Sequence, residues 1–289
     1  MASFQSSVLS TTKKALSRYG IKPSRGLGQN FLVDKHVIKK LIAASEVTLK
    51  DVVLEIGPGA GALTQELAKL AKKVIAVEKD AKMVEILKET LAEFRNVEII
   101  HGDILKLQVS SLKIQANPKS QTYKVVANLP YYITAPTIRK FLEAEKPDFK
   151  REKVGLQSMT FIIQKEVAQR ICAKPPDMSI LAVAVQFYAV PKIVSYVKKS
   201  AFWPQPHVDS TIIRIIPHKE KPLVDPAKFF SVVKAGFAHP RKQLLGNLSA
   251  GLKRPREHMG TILRENGVDP ARRAETLSIQ DWRNLADML

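Results

Sequence analysis

Along the first 217 positions, short runs of β-branched and other apolar residues alternate with segments in which apolar residues recur every three or four positions. That alternation predicts a mostly parallel β-sheet covered by helices. Strands are expected at 52–56, 74–78, 97–100 and 123–127, with a fifth inside 154–163 and two more at 193–197 and 211–216. Between the first three, residues 63–71 and 81–94 set an apolar stripe against a face of lysines and glutamates, the mark of crossover helices. The pattern changes at Pro217: residues 218–222 are polar and close on a proline, and beyond them helical periodicity continues without β-branched runs. A linker is expected there, and a loop at 113–121. The division that follows is a basic N-terminal arm over 1–25, an α/β domain over 26–217 and a small all-α C-terminal domain over 218–289.

Composition narrows the function. A chain of 289 residues with 45% hydrophobic and 25% charged residues can bury a full core, and it is not disordered, collagen-like or a disulfide scaffold. The longest apolar run, 180–190, is interrupted by Gln186 and falls short of the roughly 20 residues that span a bilayer, so no membrane segment is expected. Lys+Arg 46 against Asp+Glu 27 leaves +19 at pH 7, which favours a polyanionic partner, nucleic acid before an acidic membrane surface. The first 33 residues hold no acidic side chain. They have a faint transit-peptide flavour but no apolar h-region, and read as a basic arm. Cys172 is the single cysteine, so no internal disulfide forms and a reducing, cytoplasmic location fits. The six histidines lack ligand spacing, so no metal is expected, and no GxSxG elbow marks a serine hydrolase.

The first strand runs into Gly57-Pro58-Gly59-Ala60-Gly61 and then a helix. Such a loop turns sharply and lets backbone N–H groups approach a ligand. Twenty-one positions after Gly57, Glu78 closes the second strand, where a carboxylate can accept both hydroxyl hydrogens of an adenosine ribose. Dinucleotide oxidoreductases and adenosylmethionine-dependent methyltransferases share this arrangement. Pro58 removes an N–H that a pyrophosphate would use. Glu55, just before the loop, suits a cationic amino-acid moiety, so both residues favour the methyltransferase. After the third strand, Asp103 either accepts from the adenine amine of the cofactor or caps the next turn.

The fourth strand ends in Asn128-Leu129-Pro130-Tyr131, followed by a second tyrosine, Tyr132. A nucleobase amine is a poor nucleophile because its lone pair is delocalised into the ring. An enzyme must hold its N–H bonds in acceptors and aim the lone pair at the methyl group. The Asn128 oxygen and the Leu129 or Pro130 carbonyl can be those acceptors, while Pro130 fixes the backbone and Tyr131 offers a stacking face. These four are the candidate catalytic residues.

The same residues resemble the KsgA-type ribosomal RNA small-subunit adenine dimethyltransferases, and the likeness covers most of the chain. Leu27 to Leu32 is similar to the family's N-terminal motif, Glu55 to Thr64 to its glycine loop, and Asn128 to Tyr131 to its catalytic motif; Phe202 to Ser210 resembles its FxPxPxVDS segment. The resemblance implies a Rossmann-like class I methyltransferase with S-adenosyl-L-methionine as cofactor. It implies that Asn30, Leu32, Gly57, Glu78, Asp103 and Asn128 line the cofactor site. Phe202 would stack on the target adenine opposite Tyr131, unless it is a core aromatic beside Trp203. The expected product is N6-dimethyladenosine, at two adjacent positions near the 3′ end of 16S RNA in a pre-small-subunit particle, with the enzyme a monomer.

Two departures from the family pattern stand out. Lys174 to Leu181 lacks the usual Tyr-Gly pair, and Pro240-Arg241-Lys242 replaces Arg-Arg-Lys, removing one expected phosphate contact. The competing readings are an Erm-type enzyme acting on large-subunit RNA, from which Pro58 and Leu129 differ, and a non-catalytic assembly factor, since a chain of this charge binds structured RNA regardless of turnover.

Overall fold

The computed structural model describes residues 2–24, 26, 28–108, 122–143, 155–220 and 223–289. The expected loop at 113–121 lies outside the described residues, as do Leu27, Val154 and the last two positions of the expected linker.

Seven strands form one sheet: β2 (Val52–Ile56), β3 (Lys73–Glu78), β4 (Val97–His101), β5 (Thr122–Asn128), β6 (Gly155–Gln164), β7 (Ala189–Val197) and β9 (Ser210–Pro217), in the order β4-β3-β2-β5-β6-β9-β7. Strands β4, β3, β2, β5 and β6 pair in parallel, and β9 runs antiparallel to β6. All seven expected strands are present, and the sheet is the Rossmann-like one implied by the resemblance. The central strands are apolar on both faces, with every residue of β2 buried, because helices cover the sheet on each side. Among these are α2 (Lys35–Ser45), α3 (Ala62–Ala68), α4 (Ala81–Thr90) and α5 (Thr134–Glu143). Asp34 caps α2 by accepting from the His36 and Val37 N–H groups, and Asp80 caps α4 through the Lys82 N–H. The chain steps outward from β2 to β3 and β4, then returns to the other side of β2 as β5. That reversal opens a crevice at the carboxyl ends of β2 and β5, where ligands of such sheets bind.

Two features bear on the division of the chain. The basic N-terminal segment holds a 17-residue helix, α1 (Ala2–Arg18). Its Leu16 is buried in a cluster with Phe31, Val33, Met83 and Ile86. The chain also separates into two compact units, Met1–Ala168 with Lys192–Pro217, and Gln169–Pro191 with His218–Leu289. One division lies between Pro217 and His218, and Gln169–Pro191 groups with the C-terminal helices instead of the α/β domain. The reason is apolar packing. Helix α7 (Ile180–Tyr188) buries Ala182, Val183 and Phe187 in one cluster with Phe229, Leu244, Met259, Leu263 and Trp282. Phe187 and Phe229 stack with ring centroids 4.0 Å apart. The run 180–190 is thus this helix and the start of β7.

Candidate active site

The cavity at the crevice is lined by all ten residues singled out from the sequence: Asn30, Leu32, Gly57, Glu78, Asp103, Asn128, Leu129, Pro130, Tyr131 and Phe202. Their convergence follows from topology. Gly57 follows β2 and Asn128 ends β5, and these strands run in parallel register with Glu55 opposite Val126, so both loops open at the same edge. Glu78 ends β3 and Asp103 follows β4, the next strands outward.

The glycine loop is held in conformations that side chains resist. Gly57, Gly59 and Gly61 have φ of +66°, +57° and +85°. A Cβ on Gly59 would also stand 3.1 Å from the Phe31 ring. Glu78 ties the loop down: Oε2 accepts from the Gly59 N–H at 3.2 Å and Oε1 from the Asp80 N–H at 2.9 Å. Each carboxylate oxygen retains a second lone-pair direction, which suits two ribose hydroxyls. Burial pushes the Glu78 carboxyl above its ordinary value, partly offset by those N–H donors.

Glu55 is 1% exposed, and its Oε2 is buried without a hydrogen-bond partner. Burial pushes its pKa up to about 8, with the Thr64 hydroxyl pulling it down and the Glu78 carboxylate adding to the rise. A buried carboxyl group with one unpartnered oxygen on the wall of a ligand cavity fits a cationic group, whose charge would favour the ionised form. The folded pKa lies above the unfolded one, so this contribution to stability is complete below about pH 4.5 and is lost as pH rises through about 8. The ligand-free protein is therefore expected to lose stability, on the order of a few kcal/mol, from Glu55 between pH 5 and pH 8. In Glu55→Gln this part of the slope disappears. Urea denaturation of both proteins at the two pH values tests it; identical slopes would sink the assignment.

Asp103 satisfies the capping alternative directly. Its Oδ1 accepts from the Leu105 N–H at 3.0 Å, and its carboxylate pairs with Lys79 Nζ at 3.0 Å. Burial pushes its pKa up, and the Lys79 ammonium with the Leu105 N–H more than offsets this, holding it below the ordinary value. An adenine amine at this oxygen pair would share acceptors already in use.

On the acceptor side, Asn128 Nδ2 donates to the Asn30 carbonyl at 2.9 Å. Committing the nitrogen to the N-terminal motif leaves Oδ1 as the acceptor arm of the amide. Pro130 ends the turn, and Tyr131 enters a single 3-10 turn, Tyr131–Ile133. The Tyr131 hydroxyl shares a 2.9 Å hydrogen bond with Ser210 Oγ, which anchors the half-buried ring by its far end. Burial pushes this phenol above its ordinary value.

Phe202 lies in β8 (Phe202–Trp203), which pairs antiparallel with β1 (Phe31–Leu32), Leu32 opposite Phe202. Its ring is 4% exposed, packs with Leu32, Ile38 and Ile212, and also borders the cavity. The core and site readings of this residue are compatible. The β1–β8 pairing was not anticipated, because two-residue strands carry no periodicity.

Sequence reasoning missed Thr12, Lys79, Leu105, Tyr132 and Ile133 on the cavity wall. Lys79 and Tyr132 adjoin predicted site residues and could have been inferred by neighbourhood. Thr12 left no local signal. Among the described residues, no group of three or more His, Cys, Asp or Glu could hold a metal, and no helix is long and apolar enough to cross a membrane.

The chain is 42% identical over 281 residues to the ribosomal RNA small subunit methyltransferase A of Dehalococcoides mccartyi strain CBDB1, covering 96% of this chain and 92% of that protein. Among solved structures, a dimethyladenosine transferase from Plasmodium falciparum superposes with a TM-score of 0.71 at 26% identity, covering 87% of this chain and 94% of that one. The 23S rRNA methyltransferase ErmE superposes with a TM-score of 0.70 at 27% identity, covering 90% and 99%. The family model described as ribosomal RNA adenine dimethylase matches residues 21–289, and the chain belongs to that family.

Proposed function

We propose that this protein dimethylates N6 of two adjacent adenosines near the 3′ end of small-subunit ribosomal RNA, using S-adenosyl-L-methionine. The observation that carries the reading is the orientation of Asn128: its nitrogen is spent on Asn30, so an amide oxygen is offered at a cavity whose other end is the glycine loop and Glu78. The small-subunit substrate is favoured over the ErmE type by the relative at 42% identity named for the small subunit, against 27% for ErmE.

The buried carboxylates and the glycine cradle fit this cofactor. Glu78 would hold the ribose hydroxyls, Glu55 the cationic methionyl end, Asp103 the adenine, and Asn30, Leu32 and Gly57 the surrounding wall. Bound cofactor supplies the methyl group, whose bond to sulfur breaks as the N6 lone pair forms the new N–C bond. The Asn128 oxygen and the Leu129 or Pro130 carbonyl accept the N6 hydrogens and draw the nitrogen toward a pyramidal geometry. One N6 proton then passes to a carbonyl or to water. Tyr131 and Phe202 would hold the ring between aromatic faces, restoring the stacking lost when a base leaves its RNA fold. Positioning of this kind lowers the barrier without a covalent intermediate. The second transfer uses the one remaining N–H.

The protein would act as a cytoplasmic monomer on a pre-small-subunit particle, its excess of lysine and arginine drawing it to phosphate. Labelled adenosylmethionine, offered with under-methylated small and large subunits side by side, tests the reading after nucleoside digestion. Label in dimethyladenosine from the small subunit alone is expected. Label from the large subunit would move the assignment to the Erm type, and binding without label would leave an assembly factor.

A further inference from the structure

Helix α1 lies wholly ahead of the family match, which begins at residue 21, yet its Thr12 borders the cavity. Thr12 is 3% exposed and shares the wall with Phe31, Gly59 and Ala60. One turn further along, Leu16 is 1% exposed, in the cluster that takes in Phe31 and has Ala60 and Trp203 packed against it. Lys13 Nζ stands 5.1 Å above the Trp203 ring, and Trp203 faces Phe31 across the β1–β8 pair. At the end of the helix Arg18 pairs with Glu89, and the Tyr19 hydroxyl donates to the same carboxylate at 2.8 Å. Three parts of the cavity, namely the glycine loop at Ala60, the N-terminal motif at Phe31 and the FxPxPxVDS segment at Trp203, are thus braced from outside by one helix.

From this we infer that α1 is a wall of the cofactor site, with Thr12 as its contact residue, and that docking of the helix and binding of the cofactor reinforce each other. The inference rests on the reading of the cavity as the adenosylmethionine site. An isolated 17-residue helix without a strong run of helix formers is marginal in water. Its order therefore comes from docking, through Leu16, Lys13 and the Glu89 contacts. A ligand that presses against Thr12, Phe31 and the glycine loop favours the docked state, and reciprocity requires that the docked helix raise affinity for the ligand by the same factor.

The test uses the full chain and S-adenosylhomocysteine. Hydrogen exchange of the α1 amides from residue 8 onward is expected to slow at least about tenfold at saturating ligand, while amides of the helices beyond residue 218 change little. In Leu16→Asp, which undocks the helix, calorimetry should show ligand affinity reduced about tenfold. Unchanged exchange in α1 on ligand binding, or wild-type affinity in Leu16→Asp, would overturn the inference. If that variant does not fold, the wild-type exchange measurement decides alone. No binding of S-adenosylhomocysteine by the wild-type chain would overturn the cofactor reading itself, and this inference with it.

Discussion

Asn128→Ala is expected to lower turnover about 100- to 1,000-fold, the range for losing one preorganised polar contact to a transition state. Affinity for S-adenosylhomocysteine should stay within about threefold. The separation follows from the geometry: the side chain spends its nitrogen on the Asn30 carbonyl and leaves its oxygen for the target amine of the proposed reaction, so alanine removes that acceptor and frees one carbonyl on the N-terminal motif. Asn128→Asp makes the case sharper. It keeps oxygen acceptors but has no donor for Asn30, so carboxylate and carbonyl repel and the acceptor swings out of register; it should be nearly as impaired as alanine. Single-turnover rates and calorimetric affinities measured on the same preparations check this. A normal rate in either variant would remove Asn128 from the reaction.

Glu78→Ala is expected to do the opposite, weakening cofactor affinity by at least about 100-fold, since two hydrogen bonds to a charged group contribute roughly 1.5–3 kcal/mol each. Part of that loss comes through the loop. Glu78 also holds the Gly59 and Asp80 N–H groups, and without it a loop carrying three positive-φ glycines loses its tether. Affinity for the RNA should be unchanged. Because burial raises the Glu78 pKa and ribose hydroxyls favour its ionised form, wild-type cofactor affinity should rise with pH as the carboxyl ionises, a dependence weakened in Glu78→Gln. Isothermal titration at several pH values measures both effects, and equal affinity in wild type and Glu78→Ala would dismiss the ribose role.

Much of this site was legible in one dimension because its parts sit at strand ends. A β-branched run followed by Gly57-Pro58-Gly59, or by Asn128-Leu129-Pro130, announces a loop at a strand's carboxyl edge, and parallel pairing brings such edges together. Phe202 was harder. Its segment has no periodicity, and its position depends on the pairing of Leu32 with Phe202, a contact across 170 residues. The assignment of Gln169–Pro191 to the first domain followed sequence continuity. Phe187 instead found its partner in Phe229, because an apolar helix packs wherever complementary apolar surface exists.

The amino-acid sequence by itself determined the strand and helix alternation, the glycine loop with its acid 21 positions on, and the acceptor motif. All of these are local patterns of residue type and spacing, and they specify which chemistry the chain can perform. The tertiary structure alone decided that Asn128 turns its nitrogen to Asn30, that Glu55 is buried with an unpartnered oxygen, that Asp103 is already engaged by Lys79 and Leu105, and that Thr12 of α1 reaches the cavity wall. Those facts depend on which surfaces meet after collapse. Hydrophobic contact between distant segments is non-directional and leaves no fixed spacing in the sequence to read.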